Sequence, residues 1–126
     1  MILIDSSVWI EYFKGNPTAI GLNPLIDTNA ICINDLILSE LLPSIIHKRE
    51  NALKDLLQNI TKLPLAINWD RVISMQTLNL RNGLNRIGIS DLIIAQNAID
   101  HHIPLFSLDK HFSLMSGIHG LNVYNP

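Results

Sequence analysis

Four acids carry the chemistry that this chain could perform: Asp5, Glu40, Asp91 and Asp109. Asp5 follows the apolar run Met1-Ile2-Leu3-Ile4, which reads as a short buried strand, and precedes an apolar segment with helical spacing. Asp109 stands just past a later predicted strand, Pro104 to Ser107. In an open α/β sheet, ligands bind in the crevice beyond the carboxyl ends of the strands, which is where both acids would lie. Glu40 interrupts the apolar helical run Leu36-Ile37-Leu38-Ser39-Glu40-Leu41-Leu42, where a carboxylate is costly unless a cation or hydrogen-bond donors satisfy it. Asp91 opens the most apolar helix of the chain, and both helices feed the same sheet edge. Singly, each acid has an ordinary explanation: a solvent-facing position for Glu40, the helix dipole for Asp91, a cap or turn for Asp5 and Asp109. Together they need more, because two ionised carboxylates about 4 Å apart repel by roughly 4 kcal/mol at an effective dielectric of 20. Divalent cations or basic groups must neutralise such a cluster. All-oxygen ligation selects hard ions, Mg²⁺ or Mn²⁺, and suits metal-assisted phosphodiester hydrolysis.

The elements that must position these acids alternate along the chain. After the first strand, Ser7 to Lys14 reads as a helix capped by Ser6 or Ser7 and stopped at Gly15-Asn16-Pro17. A short or broken helix over Ile20 to Ile26 leads through Asp27-Thr28-Asn29 to a second strand, Ala30 to Ile33. Asn34-Asp35 caps the helix carrying Glu40, whose path Pro43 should kink. Arg49 to Ile60 is amphipathic, with Leu53, Leu56, Leu57 and Ile60 on one stripe. Leu63 to Ile67, which contains Pro64, is at best a short edge strand. Asn68 caps a helix from Trp69 to about Asn82, and Ser90 caps the helix Asp91 to His101. A turn or short helix from Asp109 to Phe112 and a last strand, Leu121 to Tyr124, complete the chain. This alternation predicts a parallel sheet covered by helices.

The 126 residues are enough for one domain, spanning 1–126, that buries roughly two-thirds of its unfolded surface. A hydrophobic share of 48% against 16% charged is apolar for this size and suggests that another chain covers part of the surface. The formal charge of -2 gives no bulk attraction for nucleic acid, so a polyanion would have to be met by bound cations or local basic residues. The candidates for that role are Arg81, Arg86 and Lys110. The single Cys32 reads as a buried strand residue and excludes an intramolecular disulfide or a thiolate zinc site. With no basic leader and no apolar stretch near membrane-spanning length, the expectation is a soluble, cytoplasmic protein.

Four motifs in order resemble those of the PIN-domain nucleases and, within them, the VapC-type toxins of bacterial and archaeal toxin-antitoxin pairs. They are Ile4-Asp5-Ser6-Ser7, Ser39-Glu40-Leu41-Leu42, Ile89-Ser90-Asp91-Leu92-Ile93-Ile94-Ala95 and Leu105-Phe106-Ser107-Leu108-Asp109-Lys110-His111-Phe112. The resemblance implies a three-layer α/β/α fold with a central parallel sheet of order 3-2-1-4-5, which makes the first and fourth strands neighbours and sets Asp5 beside Asp109. It further implies that Asp5, Glu40, Asp91 and Asp109 form a catalytic quartet holding Mg²⁺ or Mn²⁺, with Ser7 and Ser107 supporting it. The expected activity is RNA hydrolysis. The expected partners are a second copy of the chain and a small antitoxin whose peptide covers an apolar groove and reaches the acids. Two positions depart from the family pattern: residue 111, often acidic in relatives, is His111, and Pro43 follows Glu40 on its helix.

Other chemistries fit less well. His101, His102, His111 and His119 fall in the last third, but adjacent histidines on a helix point in different directions and no His-Glu-x-x-His motif supports zinc. Glycine spacing supports neither a phosphate loop nor a dinucleotide site, and Ser6 and Ser7 lack the glycine frame of a nucleophile elbow. A phosphoacceptor domain would want an acidic pair at the first strand and a lysine after a late one, which Leu121 to Asn125 lacks. A PIN-like scaffold that binds RNA or a protein without catalysis is the remaining alternative, and the intact quartet argues against it.

Overall fold

The computed structural model describes residues 1–126. Its elements are β1 (Ile2–Ile4), α1 (Ser6–Phe13), a 3₁₀ turn (Pro17–Ala19), α2 (Leu22–Asp27), β2 (Ile31–Ile33), α3 (Asp35–His47), α4 (Asn51–Gln58), β3 (Thr61–Lys62), α5 (Trp69–Arg81), α6 (Ile89–Asp100), β4 (Leu105–Phe106) and α7 (Lys110–His119). The four strands pair in parallel in the order β3-β2-β1-β4. A fifth place exists only in outline: Leu121 to Tyr124 runs beside β4 through the bridge Leu105–Val123, with Leu105 N donating to Asn122 O and Tyr124 N to Leu105 O. The order implied by the family resemblance therefore holds for four strands, and the last segment contributes one parallel bridge in place of a strand.

Successive side chains of a strand point to opposite faces. Leu3 and Ile4 in β1, Ile31, Cys32 and Ile33 in β2, and Leu105 and Phe106 in β4 are all buried, so both faces of the sheet are covered. The layers are thus helix, sheet, helix. On these faces α1 packs on α3, α3 packs on α4 and α6, and α5, α6 and α7 pack on one another. One cluster of 28 buried hydrophobic residues joins the layers. Burial pushes the Cys32 thiol up to about 11, so it packs as a small apolar side chain.

Three local features bear on the expectations. The edge strand is Thr61–Lys62, earlier than Leu63 to Ile67, because Leu63 N still donates to Ile33 O while Pro64, next in line, has no N–H to continue the ladder. The helix with Glu40 runs without a break through Pro43, which is exposed, to His47. The last helix is ten residues long, because Phe112 and Met115 bury one face of α7 and Gly120, at φ 72°, closes it in the left-handed conformation.

Candidate active site

The register of β1 and β4 builds the centre of the site. Ile4 pairs with Phe106, and Asp5 N donates to Phe106 O at 2.9 Å, so the next residues on the two strands, Asp5 and Ser107, emerge side by side. Asp5 is the N-cap of α1, yet its side chain makes no capping bond. Instead Oδ2 accepts two hydroxyls, from Ser7 at 2.7 Å and from Ser107 at 2.8 Å. These hydroxyls lie 3.2 Å apart, and each also accepts a backbone N–H, Leu108 N on Ser7 and Asp109 N on Ser107. Asp5 is 4% exposed, and this bracket fixes its carboxylate without neutralising its charge.

The other acids come from two helix starts and from the middle of α3 around that point. Asp109 caps α7 through a hydrogen bond from His111 N at 2.9 Å. Asp91 sits in the first turn of α6, whose N-cap is Gly88 and not Ser90. Glu40 reaches the same crevice from α3, held in place by the Asn34 cap, whose side chain accepts Ile37 N at 2.8 Å and donates to the buried Asn97 at 2.9 Å. Partial burial, then the charges of Asp5 and Asp91, raise the Glu40 carboxyl above its ordinary range, with the Ser6 hydroxyl opposing. Burial, then Asp109 and Asp5, raise Asp91, with His111 opposing. Each acid thus feels the charge of its neighbours, as side chains gathered at one edge of the sheet do.

His111 belongs to the same cluster. Its Nδ1 lies 3.3 Å from Asp109 Oδ1 and 3.8 Å from Asp91 Oδ2. Donor atoms of Asp91, Asp109 and His111 all fall within 4.8 Å of one another, and the buried Nδ1 has no hydrogen-bond partner. Two carboxylate oxygens and an orphaned imidazole nitrogen converging on one point fit a divalent cation. Ser6, which the sequence suggests only as a cap, acts on Glu40; its place directly after Asp5 was the available signal.

The basic residues divide. Arg86 and Lys110 line, with His111, a cleft of about 190 Å³ beside the acids. Arg81 is exposed in the last turn of α5, outside that cleft. The remaining histidines serve elsewhere: His101 contacts Pro64 O, and His119 contacts Asn79. On the other side of Glu40, Ile10, Phe13, Leu41, Ile45 and Leu53 line an apolar groove of about 330 Å³ between α1, α3 and α4, with Lys14 and Lys48 also on its wall. No helix is long and apolar enough to cross a membrane.

The chain superposes on a chain of VapBC2 from Rickettsia felis, solved bound to a promoter DNA fragment, with TM-score 0.74, 20% identity and coverage of 100% of this chain and 99% of that one. FitAcB from Neisseria gonorrhoeae gives TM-score 0.72 and 20% identity over 100% and 98%. DNA-bound VapBC from Salmonella typhimurium gives 0.75 and 16% over 98% and 96%. At these identities the likeness shows a shared fold. No curated protein matches the chain in sequence. The family model of the PIN domain, however, matches residues 2–118, and with the parallel sheet and the acids gathered at its carboxyl edge the chain belongs to the PIN domain family.

Proposed function

We propose that this protein is a divalent-metal-dependent endoribonuclease acting as a VapC-like toxin. PIN domains are in general nucleases. The observation that carries the reading for this chain is the convergence of four acids and His111 where β1 and β4 end. Asp5, Glu40, Asp91 and Asp109 would hold Mg²⁺ or Mn²⁺. When bound, such an ion offsets the carboxylate charges, makes water more acidic and stabilises charge on a leaving oxygen. The protein's own groups supply the rest. Ser7 and Ser107 keep Asp5 in one orientation. Glu40 and Asp109 complete the site or orient the attacking water. Arg86 and Lys110 hold the RNA phosphates so that water attacks phosphorus in line with the departing oxygen, forming one P–O bond as the other breaks. Arg81 would touch only more distant phosphates.

The apolar groove that begins at Glu40 supports a small antitoxin as partner, because a peptide lying in it would end at the acids. The structural likeness to VapBC and FitAcB is in keeping with such a pair. In the test, purified protein with Mn²⁺ cleaves RNA, and Asp5→Asn or Asp91→Asn lowers the rate by at least about a hundredfold. Expression arrests growth, and co-expression of the antitoxin relieves it. Arrest that persists in both variants would overturn a catalytic origin and leave a PIN scaffold that only binds.

A further inference from the structure

The cluster departs from an all-oxygen site at one position. Asp109 Oδ1 accepts the backbone N–H of His111 at 2.9 Å, so the cap of α7 fixes where the imidazole starts. The ring then turns Nδ1 inward, where the atom is buried, makes no hydrogen bond and faces carboxylate oxygens of Asp109 and Asp91. Two acceptors facing a ring nitrogen leave room for a positive charge between them. The separations of 3.3 and 3.8 Å also suit shared ligation. Ligands on an ion with bonds of about 2.1 Å lie about 3 Å apart when adjacent and about 4.2 Å apart when opposite.

We propose that His111 Nδ1 is a direct ligand of the divalent ion, together with Asp91 and Asp109, and that this nitrogen shifts the site's preference from Mg²⁺ toward Mn²⁺ and other first-row ions. The inference rests on the reading of the acids as a metal site. Its chemistry is that of the donor set. Mg²⁺ favours oxygen and sheds water reluctantly, whereas imidazole binds transition ions well. A neutral nitrogen in place of a carboxylate also lowers the negative charge that a hard ion would exploit. No other histidine shares the cluster, so a nitrogen signal from the bound ion has one source.

The test is pulsed electron paramagnetic resonance of Mn²⁺ bound to the full chain without RNA. Wild-type protein should give modulation from a directly coordinated ¹⁴N. Protein grown with ¹⁵N-histidine should replace it with the ¹⁵N pattern, a comparison that needs no variant to fold. His111→Gln should lose the signal. His111→Asp, which restores an oxygen donor, should still bind Mn²⁺ and should narrow the Mn²⁺-over-Mg²⁺ affinity ratio by about tenfold. Bound Mn²⁺ with no nitrogen modulation overturns the inference and leaves the oxygen-ligated nuclease site standing. A signal that survives in His111→Gln overturns it by pointing to another histidine. Failure of the wild-type chain to bind Mn²⁺ overturns both the inference and the metal-dependent reading.

Discussion

Asp5 and Asp91 meet the same crevice under opposite local conditions. Two hydroxyls hold Asp5, whereas Asp91 faces Asp109 and Asp5 with only His111 to counter them. Its carboxyl therefore titrates above the ordinary range in the folded chain, as does that of Glu40. Between the unfolded value, about 4, and the raised folded value, the native state binds more protons than the unfolded one. The contribution of these two groups to stability is thus greatest below the unfolded value and is lost as pH rises through the folded one. Asp91→Asn removes one of these unfavourable charges. In the absence of divalent ions it should raise Tm at pH 7 by roughly 2–5 °C and flatten the loss of stability between pH 4 and 7. Thermal melts across that range check it; a lower Tm at pH 7 would mean that the acids do not oppose one another.

At the scale of elements, the site is made of ends: two strand ends and the starts of α1, α6 and α7, with the middle of α3 alongside. Helix starts present free N–H groups and positive dipole ends, which suit carboxylates. Lys110 runs against this logic, since a cation in the first turn of α7 is disfavoured by about 0.3–1 kcal/mol. Its place beside Arg86 in the cleft next to His111 is what a phosphate contact would require. Replacing both with Gln should weaken RNA binding and reduce the steepness of its logarithmic salt dependence by roughly 1.4 for single-stranded RNA. Titrations at several salt concentrations measure this, and an unchanged slope retires the assignment.

At the scale of the whole molecule, the uncovered apolar surface asks for a partner. On α5, Trp69, Ile73 and Leu80 project within about 40° of one another and are 59%, 64% and 57% exposed. A stripe of this kind, in a chain that is 48% hydrophobic, supports the homodimer that the resemblance implies. Ile73→Asp should convert a dimer into a monomer without lowering Tm, read by light scattering and thermal melts. A wild-type chain that is already monomeric at high concentration would refute the assignment.

Local patterns in the chain single out the acids that could carry chemistry and the kind of element each occupies. Asp5 after a strand, Glu40 within an apolar helix, Asp91 at a helix start and Asp109 after a strand are all readable from local patterns, because burial imposes periods of 2 and 3.6 on apolar residues. Helix α7 was less legible, since Ser113, Ser116 and Gly117 are poor helix formers and its stability comes from burying Phe112 and Met115. The short β3 was obscured by its neighbour Pro64. Packing between distant segments sets what local patterns do not record: Ser7 and Ser107 both grip the same oxygen of Asp5, and the imidazole of His111 turns inward between Asp91 and Asp109. Those contacts depend on the pairing of β1 with β4 and on how α6 and α7 pack, interactions between residues far apart in the chain that no local period records.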